Sequence, residues 1–157
     1  MTTPTAADIF ARHHRDIYRY VLRMTGRPDV ADDVCQDVFL RVVRARNNGA
    51  AVGHERGWVF AIARHLVSDH RRSESRRPAA EGTSQEPAAN DRQALAFGLG
   101  EALARLPDAD REMFLLKEIG GLNYGEIAAA CSCSVEAVRS RLFRARTQLR
   151  GALDPRG

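Results

Sequence analysis

The sequence predicts an all-α protein of two small helical domains joined by a flexible linker, the second domain containing a helix-turn-helix. Three observations carry this. Apolar residues recur at helical spacing along successive segments, and nothing alternates with period two for long enough to form a strand. The stretch SESRRPAAEGTSQEPAAN, residues 73–90, has two prolines, one glycine and almost no large apolar side chain, so it cannot bury enough surface to offset the entropy of ordering it. Near the C-terminus a short helical segment, a four-residue turn and a longer capped segment follow one another. The expected division is residues 1–76, a linker over 77–91, and residues 92–157. At 157 residues, 44% of them apolar, each part has room for a modest core and no more.

Each helix has its own signals. Ile9, Phe10, Ile17, Val21 and Met24 trace the stripe of a first helix, which Gly26 and Pro28 stop. A second is expected from about Asp29, with a stripe of Val30, Val34, Val38 and Val42. Asp32 and Asp33 in its first turn and Arg41 and Arg44 near its end match the helix dipole. The loop NNGAAVGHE, residues 47–55, leads to a third helix over about 56–72 that buries Val59, Ile62, Ala63, Leu66 and Val67. Beyond the linker, Leu95, Leu99, Leu103 and Leu106 mark a fourth helix ended by Pro107. Asp108 caps a fifth, running through Met113, Phe114 and Leu116 to Gly120-Gly121. A short helix, YGEIAAA (124–130), precedes the tight turn CSCS, and Ser134 caps the last helix.

The net charge of +4 matters less than its distribution. Residues 46–77 carry +4 and residues 134–157 carry +4, while residues 108–133 between them carry −3. A polyanion is therefore gripped at two places rather than coated everywhere. No apolar run approaches the roughly 20 residues that span a bilayer, and MTTPTAAD lacks the basic start and apolar stretch of a signal peptide, so a cytoplasmic chain is expected. Cys35, Cys131 and Cys133 are an odd number and do not suggest a disulfide framework. Cys131-Ser-Cys133 hints at a metal or redox pair, but no further ligand cluster completes it, and small buried side chains are the simpler reading. No clustered acids, histidines or metal ligands point to catalysis, so neither an enzyme nor a cofactor or metal is expected.

The last helix, AVRSRLFRARTQLR over 137–150, poses the functional question. On a wheel of about 100° per residue, Val135, Val138, Leu142, Ala145 and Leu149 face the core. Glu136, Ser140, Phe143, Arg144 and Thr147 face outward, with Arg139, Arg141 and Arg146 on the flanks. A solvated charged face accounts for the arginines but not for an outward phenylalanine. A major-groove helix accounts for both: arginine pairs with guanine edges, an aromatic ring packs on a thymine methyl, and flanking arginines hold phosphates. The third helix sets Arg64, Ser68, Arg71 and Arg72 opposite its core side, with Trp58 and His65 near the boundary. That composition suits single-stranded nucleic acid, although Trp58 also fits the core and His65 also fits an ordinary surface. On the second helix, Asp32, Asp33, Gln36, Leu40 and Val43 lie opposite the valines, an aliphatic and acidic patch of the kind that meets a protein partner.

Taken together, the chain resembles the extracytoplasmic-function (ECF) sigma factors of bacterial RNA polymerase, in the sigma-70 family. VADDVCQDVFLRVVR (30–44) resembles the family's region 2.2 and GWVFAIARHLVSDHRR (57–72) its regions 2.3 and 2.4. LPDADREMFLLKEIGGLNYGEIAAACSCSVEAVRSRLFRARTQLR (106–150) resembles region 4. The resemblance implies that Asp33, Gln36 and Phe39, with neighbours Asp32, Leu40 and Val43, dock on the clamp helices of the polymerase β′ subunit. It implies that the loop 47–56 and the third helix recognise and open the minus-10 element and capture a flipped base, through Asn47, Asn48, His54, Trp58, Arg64, His65, Ser68, Arg71 and Arg72. Arg139, Ser140, Phe143 and Arg144 fall on positions that read the minus-35 element, with Arg141 and Arg146 beside them. The sequence departs from the family at two places. His65 stands where Asn is common, and Glu136-Ala137 where Gly-Thr is usual, so that Glu136 either reads cytosine or repels phosphate.

The expected function is that of a specificity subunit which catalyses nothing itself. It binds core RNA polymerase through β′ and β, aims it at promoter DNA through two contacts and assists melting; the family also implies an anti-sigma factor as a partner. The alternative is a conventional helix-turn-helix regulator, against which the patch on the second helix and the loop before the third argue.

Overall fold

The computed structural model of the chain describes residues 4–49, 54–75 and 91–154. Within them lie seven helices and no strand: α1 (Ala6–Thr25), α2 (Pro28–Asn47), α3 (Glu55–Ser75), α4 (Asp91–Arg105), α5 (Asp108–Glu118), α6 (Tyr124–Cys131) and α7 (Val135–Leu153). The expected linker falls outside the described residues except for Asp91, which opens α4.

α1 starts on a capping box in which the Thr5 hydroxyl accepts from the Asp8 amide and the Asp8 carboxylate accepts from the Thr5 amide, both at 3.1 Å. It stops where Gly26 turns left-handed, at φ 69°, and its amide reaches back to the Leu22 carbonyl at 2.7 Å. Pro28 is part of α2 rather than a break before it: its fixed φ suits the first helical position, and its missing amide would be unpaired there anyway. The acid of the first turn is therefore Asp29. Asp32 and Asp33 lie a turn further on, too far along to be explained by the dipole, contrary to expectation. α3 is longer than expected, since Ser73, Glu74 and Ser75 are helical and Glu74 pairs with Arg27.

The expected stripes are the core. Ile9, Ile17, Val21 and Met24 of α1 pack with Val30, Val34, Val38 and Val42 of α2 and with Val59, Ala63, Leu66 and Val67 of α3, all buried. Phe10 and Ile62 are half-buried at the rim, Phe10 with its ring 5.0 Å from that of Phe39. Burying each such aliphatic side chain contributes roughly 1.5–3 kcal/mol, and a three-helix unit needs most of them.

In the second group, Leu103, Leu106, Met113, Leu116, Val138, Leu142, Ala145 and Leu149 close a core among α4, α5 and α7, with α6 laid on α7. Asp108 does not cap α5. Pro107 occupies that position without a side-chain bond, and Asp108 is the first helical residue, its carboxylate turned to Arg111. α6 has a full capping box between Asn123 and Glu126. The turn between α6 and α7 bends through Ser132 in the left-handed region, and the Ser134 hydroxyl accepts from the Ala137 amide at 3.1 Å, as its position predicted. The two helical groups rest on one another, α6 against α3, and α4 and α5 against α1.

Candidate nucleic-acid interface

α7 presents the face that the wheel predicted. Val138, Leu142, Ala145 and Leu149 point inward, and Glu136, Arg139, Ser140, Phe143, Arg144 and Thr147 are exposed. Phe143 is 71% exposed, which no packing need explains. Arg144 donates to the carboxylate of buried Asp110 at 3.2 Å, and Arg146 lies 3.6 Å from Glu118. One of the five guanidinium N–H groups of Arg144 is thereby spent on fixing its direction, and the others remain for a ligand. Arg141 and Arg146 are half-buried at the flanks. An aromatic ring beside a fixed guanidinium on the outer face of a capped second helix can enter a major groove and read base edges.

On α2, Asp32, Asp33, Gln36 and Leu40 are exposed, Leu40 by 52%, and Val43 is half-buried. Phe39 turns inward against Phe10, so its ring shapes the patch from below. No capping or first-turn dipole role accounts for the two aspartates.

α3 is different. Asn47 and Asn48 are exposed at the end of α2, but residues 50–53 of the loop lie outside the described residues. Trp58 packs against the core, and His65 is exposed. Ser68 is half-buried. Arg64 is largely covered and pairs with Glu112 of α5, and Arg71 donates to Asp108 at 2.9 Å. Arg72 pairs with Asp69 of its own helix at 2.7 Å, and His54 stands 3.5 Å from Glu126 of α6. Burial works against the Arg64 charge, but Glu112 outweighs it and holds the guanidinium above its ordinary value. For Glu112 the balance is reversed: burial raises its carboxyl despite Arg64. Such an exchange is expected where a charged pair leaves water together.

Arg56, which the sequence did not single out, is a hub. Its guanidinium donates to Asp16 at 2.6 Å and to the Ile119 carbonyl at 2.9 Å, and also reaches the Gly120 carbonyl. Two glycines shape that acceptor. A side chain on Gly120 would meet the Leu116 carbonyl at 2.5 Å, and Gly121 has φ +66°. Beside Arg56, His13 Nε2 is 2.6 Å from Glu55, which also takes Arg12 at 2.8 Å. The opposite signs of residues 46–77 and 108–133 were the sequence signal for the pairings of Arg64 with Glu112 and Arg71 with Asp108, but not for the contacts of Arg56. Among the described residues no group of three His, Cys, Asp or Glu side chains is placed to hold a metal, and no helix is long and apolar enough to cross a membrane.

Comparison with known proteins gives a consistent picture. Residues 9–77 match the family described as sigma-70 region 2, and residues 97–149 the family described as sigma-70, region 4. The chain is similar to the ECF RNA polymerase sigma factor SigC of Mycobacterium tuberculosis, 37% identical over 147 residues, covering 90% of this chain and 79% of the relative. It is also similar to the ECF RNA polymerase sigma factor SigE of Mycolicibacterium smegmatis, 34% identical over 158 residues, covering 93% of this chain and 61% of the relative. Among solved structures it is similar to CnrH, in complex with the cytosolic domain of CnrY, with a TM-score of 0.71 at 28% identity over 95% of this chain and 87% of that one. RpoE of Bartonella quintana, solved with the anti-sigma factor NepR, shares the fold with a TM-score of 0.77 at 23% identity, over 91% of this chain and 92% of that one.

Proposed function

Because the chain belongs to the extracytoplasmic-function group of the sigma-70 family, we propose that its three faces divide the work of initiation among residues 1–76, a connecting segment over 77–91 and residues 92–157. The chain is an ECF-type sigma factor that binds core RNA polymerase, directs it to specific promoters and assists promoter melting. Asp32, Asp33, Gln36, Phe39, Leu40 and Val43 form the docking patch for the polymerase clamp. α3 and the loop before it take the minus-10 element. Arg139, Ser140, Phe143 and Arg144 read the minus-35 element, with Arg141 and Arg146 on its phosphates. The work is done in the cytoplasm, as an initiation factor and not as an enzyme, and an anti-sigma protein is a further partner, by analogy with RpoE of Bartonella quintana, solved with the anti-sigma factor NepR.

The observation that carries this reading is α7, whose exposed Phe143 and Arg144 stand opposite a wholly buried stripe. Two weak DNA contacts on one chain add as effective concentration once polymerase fixes their spacing. Run-off transcription with purified core polymerase on a genomic promoter library tests it: start sites are expected only when this protein is added. Asp33→Ala with Gln36→Ala should weaken association with core without changing the circular dichroism spectrum, since neither side chain fills the core. Collapse of the fold would make the patch structural.

A further inference from the structure

Asp8, Glu126 and Asp110 each hold the third position of a helix, and one of them is used differently. Asp8 in α1 and Glu126 in α6 reach back and accept the amide of the capping residue, Thr5 and Asn123 respectively. In α5 the cap is Pro107, which has no amide to offer, so the Asp110 carboxylate is released from the helix start. It turns to α7 instead, 34 positions on, and accepts from Arg144 at 3.2 Å. The pair is one-sided: the Asp110 side chain is 5% exposed and that of Arg144 63%. A buried end anchors while an exposed end reaches out. Asp110 also lines, with Pro107, Phe143 and Thr147, a groove beside the outward face of α7. Arg139, exposed on the same helix, has no acid paired with it among the described residues.

We propose that Asp110 is a positioning residue for promoter reading: a buried carboxylate on α5 that aims the Arg144 guanidinium and so sets how strictly one base pair of the minus-35 element is chosen. This rests on the role given above to Arg144. A guanidinium reads a guanine edge through two N–H groups in a rigid fork, so a direction fixed beforehand serves selection more than attraction. An arginine left loose swings to whichever phosphate is near and gains the same attraction on every sequence. A held arginine loses that option and need not be ordered on binding. The carboxylate itself repels phosphates, which weakens the grip on all sequences and leaves the advantage to the one that presents acceptors where Arg144 points. Pro107 is part of the arrangement, because an ordinary residue there would offer its amide and compete with Arg144 for Asp110.

Asp110→Ala in the full chain, alone and combined with Arg144→Ala, tests the proposal on the preferred minus-35 duplex and on duplexes changed at one base pair, with thermal melting as the control on folding. The single variant should lose roughly three- to tenfold in discrimination at the base pair that Arg144→Ala also relaxes. It should bind the changed duplexes no more weakly than the wild type does and keep its discrimination at the other positions. In the Arg144→Ala background it should lower discrimination no further, since it acts through that arginine. If Asp110→Ala melts earlier than the wild type, Asp110→Asn, of the same size and still an acceptor, replaces it, with a smaller loss in the same direction expected. A uniform loss on every duplex, or a loss of discrimination that persists without Arg144, makes Asp110 structural and overturns the proposal. If Arg144→Ala relaxes a base pair and Asp110→Ala does not, the positioning falls while the reading by α7 stands. If Arg144→Ala leaves every preference unchanged, the role given to Arg144 falls and the positioning with it.

Discussion

α3 and α7 are both arginine-rich helices with a well-buried apolar stripe, yet one is covered and the other open. Arg56, Arg64 and Arg71 are engaged across the seam by Glu112, Asp108 and the end of α5, whereas Phe143 and Arg144 face outward with only Asp110 and its neighbours beside them. The same residue chemistry therefore has two states of readiness. A basic face is available for nucleic acid only so far as the fold does not supply its own anions, and here they cover more of α3 than of α7, where Arg144 meets Asp110 and Arg146 meets Glu118 but Phe143 and Arg139 stay exposed.

The largest expected effect tests the open face. Phe143→Ala and Arg144→Ala should each cost roughly 1–3 kcal/mol on the preferred minus-35 duplex and relax selectivity at one or two base pairs, measured by fluorescence anisotropy on single-base-pair variants. Arg141→Ala, at the flank, should instead weaken all sequences alike and lower the salt slope by about one. If the two behaviours are exchanged, the helix is rotated from the orientation described.

A chemical probe sharpens the contrast from the covered side. The Cys131 thiol lies 3.9 Å from the Glu112 carboxylate, beneath the seam, and burial pushes it up to about 11. Since the thiolate is the reactive form and ion pairs weaken with salt, alkylation of Cys131 should quicken several-fold as salt opens the seam. Cys35, buried in the first core and also held at about 11, serves as the internal reference and should stay slow. Peptide-resolved mass spectrometry separates the two; equal acceleration of both would mean general loosening instead of separation.

The smallest effect is at Asp108, which is 69% exposed. Burial raises its carboxyl, but Arg71 and Arg111 outweigh that and hold it below its ordinary value of 3.8. A lowered carboxyl contributes stability that is fully present above the unfolded value and lost as pH falls through the folded one. Asp108→Asn should thus cost only about 0.2–1 kcal/mol, toward the lower end because water screens the pair. The cost should be constant from pH 8 to pH 5 and vanish in acid below the ordinary carboxylate range, as followed by thermal melting.

Much of this was legible in the sequence because it is local. Apolar spacing alone placed Val138, Leu142 and Leu149 inward and Phe143 outward, and Ser134 signalled its helix start by residue type and position. Where local signals competed, the reading slipped. Pro28 carries the signal of a stop yet opens α2, and Asp108 carries that of a cap yet is the first helical residue of α5. The residues 73–75 looked too polar for helix, yet Glu74 is anchored by Arg27, 47 positions earlier.

The sequence by itself thus determined the helices, their inward faces and the outward face of α7, because each depends on neighbours within a turn or two of the same helix. Only the tertiary structure decided which basic face is free. Arg71 meets Asp108 across 37 positions and Arg56 meets Ile119 across 63, so no periodicity connects them. The opposite charges of residues 46–77 and 108–133 were visible in composition, but attraction between charges falls with distance and with water between them. Whether those blocks engage is settled by the packing that brings α5 and α6 onto α3 and leaves α7 on the far side.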